Sequence, residues 1–121
     1  MFESIFVSFV LCATPTPLQS AVWQVETGRC ESDCPAGDNG DSIGPLQITV
    51  DAWTDVKRDG EQYSDCGGLD YSLVIFERYM LRYATQKRLK RSVTDEDRAR
   101  IWNGGPRGVW AEGKKKKKLD E

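Results

Sequence analysis

The chain has no histidine and only four cysteines among its 121 residues. Structural zinc sites draw on Cys and His at recognisable spacings, so this set implies no metal, and no cofactor is implied either. Long apolar runs are also missing. The most apolar stretch, residues 5–13, holds nine residues, far below the roughly 20 that a membrane-spanning helix needs. Stable membrane insertion is therefore not expected. The stretch could serve as the apolar core of a signal peptide, but Glu3 precedes it with no Lys or Arg, which makes it atypical. Secretion is expected on this reading; a short apolar strand or a misassigned start are the alternatives.

A surplus of positive charge is lacking as well. The formal charge is −2, and five of the 17 basic residues are the lysines at 114–118. Without residues 114–121, 12 basic residues face 17 acidic ones, a net −5. Nucleic-acid binding relies on clustered Lys and Arg that displace phosphate counterions, so an acidic body argues against it. The lysine run reads as a solvated tail; attraction to anionic wall polymers is the sharper alternative.

What is present describes one domain. The length suffices for a single core and not for two, and 39% apolar with 30% charged residues is ordinary for a folded domain. The expected division is an N-terminal apolar segment over 1–16, a folded domain over 17–113 and a lysine-rich tail over 114–121, as a monomer. Cys12, Cys30, Cys34 and Cys66 allow three pairings. Cys30 and Cys34 are close enough in sequence to close a small loop; free buried thiols are the alternative.

Helical signals dominate. Thr16 reads as an N-cap and Pro17 as the first helical residue, with Leu18, Val22 and Val25 on one face and Gly28 as the stop. Residues 30–44, rich in Asp and Gly, read as turns or a short irregular hairpin. A short helix with Val50, Trp53 and Val56 should end at Asp59-Gly60, before a polar loop over 60–69. Asp70 or Ser72 should cap a core helix in which Leu73, Phe76, Met80 and Tyr83 recur at three and four residues. A last helix begins at Thr94, whose capping box is completed by Asp97, and stops before Gly104-Gly105-Pro106.

Glu26 is the chemically informative residue. It falls in the last turn of the first helix, where the negative end of the helix dipole disfavours ionisation of a carboxyl group, and a general acid must keep its proton. Glycosidic hydrolysis pairs such an acid with a second carboxylate across the scissile bond. Asp38 and Asp41 are the candidates, Asp38 being favoured. Separations of roughly 5–5.5 Å would fit a retaining mechanism and roughly 6.5–9.5 Å an inverting one. Gln47 and Asn103 are candidates for binding sugar amides and hydroxyls, because an amide side chain both donates and accepts; Ser42 is a weaker one. Each could instead anchor a tight loop, and Tyr79, Tyr83 and Trp102 read as core before they read as sugar platforms.

Four ordered segments carry a family likeness: Glu26-Thr27-Gly28-Arg29-Cys30, Gly37-Asp38-Asn39-Gly40-Asp41-Ser42-Ile43-Gly44-Pro45-Leu46-Gln47-Ile48, Tyr79-Met80-Leu81-Arg82-Tyr83-Ala84-Thr85, and Ala99-Arg100-Ile101-Trp102-Asn103-Gly104-Gly105-Pro106. Together they resemble the invertebrate-type (destabilase-type) lysozymes, over about residues 22–108. The resemblance implies an α+β, mostly helical lysozyme-like fold with a small β-hairpin region. It also implies cleavage of β-1,4 bonds between N-acetylmuramic acid and N-acetylglucosamine in peptidoglycan, an antimicrobial, secreted activity. Glu26 matches the catalytic acid and Asp38, twelve positions on, the second carboxylate. The chain departs from the family in its few cysteines and in Trp102, where His is common before Asn-Gly-Gly-Pro. The Ser/His isopeptidase activity ascribed to some members is not supported. The family tends to continue past position 118, so a truncated terminus is expected. Two other readings stand beside hydrolysis: a lytic transglycosylase using Glu26 alone, which would leave 1,6-anhydro ends, and a noncatalytic peptidoglycan-binding protein.

Overall fold

The computed structural model of the protein describes residues 14–37 and 40–110. The apolar N-terminal stretch, Cys12, Asp38 and the lysine-rich tail lie outside the described residues. The first helix, α1 (Pro17–Thr27), starts as its sequence dictates. Thr16 Oγ1 accepts from the Gln19 amide at 3.1 Å while Gln19 Oε1 accepts from the Thr16 amide at 2.9 Å, so two otherwise orphaned donors are satisfied reciprocally. Gly28, at φ 63°, ends it. Of the expected face, Val22 is buried and Leu18 packs against the core, joined by buried Gln19 and Trp23, whereas Val25 is 78% exposed. The indole of Trp23 sets the inward direction, and a residue two positions on lies on the opposite side of a helix with about 3.6 residues per turn.

The β structure is a two-stranded antiparallel hairpin, β1 (Ser42–Ile43) and β2 (Ile48–Thr49), with Ser42 opposite Thr49 and Ile43 opposite Ile48. The turn between them is closed by Gln47 N–H donating to Gly44 O at 3.0 Å. Gly44 adopts φ +81°, and a Cβ there would stand 1.8 Å from the Cys66 carbonyl oxygen. Both facts require glycine.

Helix α2 (Val50–Val56) follows β2 directly, with Thr49 Oγ1 capping the Ala52 amide at 3.1 Å. It stops at Lys57, which turns extended, two residues before the expected Asp59-Gly60. The 60–69 stretch is more than a polar loop: Tyr63–Gly67 forms a 3₁₀ turn that buries Cys66. Tyr63 Oη ties this turn to Ile48 O at 2.6 Å, and Ser72 Oγ ties it to Cys66 O at 2.9 Å. Ser72 is thereby a buried brace within α3 (Leu69–Tyr83), not its cap; Gly68 occupies the N-cap without a side-chain bond and Asp70 lies in the first turn. Helix α3 buries Ile75, Phe76, Tyr79 and Met80, with Leu73 and Tyr83 packed alongside. A short helix α4 (Gln86–Leu89), absent from the sequence reading, supplies Leu89. Helix α5 (Asp95–Gly104) carries the expected Thr94/Asp97 capping box and brings Ile101 into the core. A 3₁₀ turn, Gly108–Trp110, folds back on α5, where Gly108 leaves no room for a Cβ against Arg100 O.

The architecture is a mostly helical α+β fold with one small antiparallel hairpin. Its core joins Val22 and Trp23 of α1, Leu46 and Ile48 of the hairpin, the buried side of α3, and Ile101 of α5. Ion pairs clamp the periphery. Arg78 holds Glu61 in a two-pronged contact at 2.7 and 2.9 Å, and Arg91 holds Asp97 at 2.5 and 2.7 Å; the forked geometry of guanidinium on carboxylate favours both. Among the described residues no helix is long and apolar enough to cross a membrane.

Candidate functional site

The end of α1, the hairpin, α2, and the facing sides of α3 and α5 enclose a cleft of about 550 Å³. Glu26, Ser42, Gln47 and Asn103, selected from three separated stretches of sequence, all line it. Glu26 is half-buried and occupies the last turn of α1, as expected.

That turn is fastened from several sides. The hydroxyl of Thr27, next to Glu26, donates to Pro45 O at 2.8 Å and accepts from the Cys30 amide at 3.3 Å. It thus links the helix end to the hairpin turn and to the chain leaving the helix. Trp23 Nε1 donates to Cys30 O at 2.7 Å, and the Arg29 guanidinium lies over the indole at 4.6 Å, within cation–π range. Cys30 and Cys34 form a disulfide, which selects one pairing from those the sequence left open and braces the segment after Glu26. Cys66 is a buried free thiol.

Gln47 sits on the hairpin with φ +52°. Its Nε2 donates to Pro35 O at 3.1 Å and Gly44 O at 2.9 Å, while Oε1 accepts from Ser42 Oγ at 3.0 Å. Both amide donors are spent on the protein, so Gln47 is a loop anchor that offers the cleft no more than an acceptor. Ser42 is buried, and its hydroxyl serves the same network. The network reaches the stretch just before Asp38. Gly37 pairs with Ser42 through two backbone bonds of 3.0 and 3.2 Å, Gly40 N–H donates to Gly37 O at 2.8 Å, and a Cβ on Gly37 would meet Gln47 Oε1 at 2.2 Å. Gly37 and Gly40 are thereby tied to the hairpin. The competing candidate, Asp41, is exposed and is not among the cleft residues.

Two aromatic side chains form part of the cleft wall. Tyr79 and Trp102 stand edge to face, with ring centroids 5.6 Å apart at 90°, and Trp102 leans on Phe76 at 4.9 Å. Burial pushes the Tyr79 phenol up to about 12, with the neighbouring Tyr83 adding to the effect. It remains a neutral hydrogen-bonding group at physiological pH. Asn103 and Pro106, from the Asn-Gly-Gly-Pro stretch, complete this side.

The sequence reading missed Asp51 and Asp55, which also line the cleft. Their four-residue spacing on a helix capped by Thr49 places both on one face, and that spacing was the available signal. Asp55 is held in place: its Oδ2 accepts from Tyr83 Oη at 2.8 Å and its backbone carbonyl from Arg82 at 2.7 Å. Burial, followed by the Asp55 contact, raises the Tyr83 phenol above its ordinary value. Among the described residues no group of three or more His, Cys, Asp or Glu is arranged to hold a metal ion. No family model matches the chain, and neither does any curated protein.

Proposed function

We propose that the protein is a lysozyme-type glycoside hydrolase, acting outside the cell on the β-1,4 bonds between N-acetylmuramic acid and N-acetylglucosamine in peptidoglycan. The observation that carries this reading is the convergence of Glu26, Gln47 and Asn103, distant in sequence, on one cleft of about 550 Å³. That volume lies within the roughly 300–1,000 Å³ typical of ligand sites. The lysozyme-like character of the fold is part of the same proposal. It rests on the helix-borne acid at the edge of a small hairpin and on the sequence likeness to invertebrate-type lysozymes.

In this mechanism Glu26 donates its proton to the glycosidic oxygen as the bond to the anomeric carbon breaks. Asp38 is the second carboxylate, opposing the positive charge that develops on the sugar. A water molecule supplies the hydroxyl of the new reducing end, and its remaining proton restores the acid. Tyr79 and Trp102 offer an apolar wall for a sugar face, and Asn103 an amide for an N-acetyl group or hydroxyl. Thr27 and the Cys30–Cys34 bridge hold the acid in place without touching substrate.

Product analysis tests the chemistry. Digestion of purified peptidoglycan should release reducing ends, and an Asp38→Asn variant should lose most of its turnover. Release of 1,6-anhydro ends, with Asp38→Asn fully active, would replace hydrolysis with transglycosylation through Glu26 alone.

A further inference from the structure

Three of the four tyrosines spend their hydroxyls on the protein. Tyr63 donates to Ile48 O at 2.6 Å, Tyr71 accepts from Trp53 Nε1 at 2.9 Å, and Tyr83 donates to Asp55 at 2.8 Å. Tyr79 is the exception. It is the most deeply buried of the four, at 5% exposed, yet its hydroxyl has no hydrogen-bond partner among the described residues. Buried tyrosines ordinarily pair that oxygen, because leaving the bond unmade carries the full cost of desolvation. No side-chain oxygen or nitrogen among the described residues is both fully covered and unpaired, so the Tyr79 oxygen keeps contact with open space. The space that Tyr79 lines is the cleft.

The ring is held on two sides, with centroids 4.8 Å from Tyr83 and 5.6 Å from Trp102. Burial pushes the phenol up to about 12, so it retains a proton to donate at physiological pH. Asn103, on the same side of the cleft, has no partner for its amide among the described residues either. The hairpin side differs, since Gln47 gives its donors to Pro35 O and Gly44 O. Resting on the reading of this cleft as a glycan site, we propose that Tyr79 is a specificity-determining residue, its hydroxyl donating to the carbonyl oxygen of a sugar acetamido group. An acetamido group has one acceptor, the carbonyl, and one donor, the N–H. A phenol and an amide on one wall complement both, Tyr79 giving to the carbonyl and Asn103 accepting from the N–H. A sugar with a plain hydroxyl in that place leaves one of the two unpaired.

The test is titration calorimetry of the full chain carrying Glu26→Gln, so that no glycan is consumed, with and without Tyr79→Phe. The probes are an N-acetylglucosamine hexamer and a β-1,4-linked glucose hexamer, which has hydroxyls in place of the acetamido groups. Phenylalanine keeps the ring and removes only the oxygen. The acetylated hexamer should bind about three- to tenfold more weakly to the Tyr79→Phe protein, the range for one net hydrogen bond. The glucose hexamer, the weaker ligand, should lose nothing further. The ligand-free Tm should stay unchanged, because no bond within the protein is removed; a structural hydroxyl would lower it by about 4 °C. Unchanged affinity for the acetylated hexamer, an equal loss for both hexamers, a glucose hexamer bound as tightly as the acetylated one, or a lowered Tm would overturn the inference and leave the hydrolase reading standing. If neither hexamer binds the Glu26→Gln protein, the inference falls together with the reading of the cleft as a glycan site.

Discussion

Thr27→Val is the substitution that most directly probes how the fold holds its acid. Valine keeps the shape and volume of threonine closely and removes only the hydroxyl, which donates to Pro45 O at 2.8 Å and accepts from the Cys30 amide at 3.3 Å. A net hydrogen bond contributes about 0.5–1.5 kcal/mol. The first contact is short and the second long, so the combined loss should be about 1–2 kcal/mol. For a domain of this size each kcal/mol lowers Tm by about 4–8 °C. The helix end would also lose its tie to the hairpin turn, and Glu26 its fixed position in the cleft, which the proposed hydrolase reading places beside the scissile bond. Small misplacements of catalytic groups are costly, so the lytic rate should fall about tenfold or more at temperatures where the variant is still folded. Thermal unfolding followed by circular dichroism, with lytic rates measured well below the transition, provides both numbers. Thr27→Ser, which keeps the oxygen, should retain most of the rate. A Val variant with wild-type Tm and wild-type rate would refute the proposed brace.

Two further outcomes follow from the ionisable groups. Contact with Arg78 holds the Glu61 carboxyl down to about 2 from an ordinary 4.5, so its contribution to stability is fully present above pH 4.5 and disappears as pH falls through 2. With the Glu61 side chain 24% exposed, that contribution is about 1–3 kcal/mol. Glu61→Gln should therefore lower stability at pH 7 and flatten its decline between pH 4.5 and 2; denaturant titrations with an unchanged slope would contradict this. The Cys66 thiol is pushed up to about 12 by burial, with Asp65 and Glu61 adding to it. It should react with a thiol reagent only as fast as the protein unfolds, and rapid labelling of the native state would show that the 3₁₀ turn is open.

How much of this was readable in advance depended on whether the determinant was local. Thr16 and Thr94 announced their helices because a capping box is complete within four residues, and Gly28 marked a stop because only a left-handed residue was needed there. The core helix was legible in its apolar spacing, but not in its start. Gly68 caps it without a side chain, and Ser72, a good cap by type, is spent bonding Cys66 O inside the fold. The direction of α1 was misjudged at Val25 because Trp23, through its contacts with the rest of the chain, decides which side is buried. Of the candidate residues, Glu26, Ser42, Gln47 and Asn103 all line one cleft. That Gln47 spends its donors on Pro35 and Gly44 could be learned only from the folded hairpin. Asp51 and Asp55 became visible only once α2 was set against the cleft, since helical spacing shows that two residues share a face and not what that face meets.

The central claim, a cleft in which Glu26 supplies the proton for glycosidic cleavage, is tested most directly by turbidity loss of a bacterial cell-wall suspension. Wild type and Glu26→Gln should be run side by side, with both confirmed as folded by circular dichroism. The account predicts clearing by the wild type and a rate at least about 100-fold lower for the variant, the scale expected for removing a general acid. Equal clearing by both proteins, or none by a folded wild type, would contradict it.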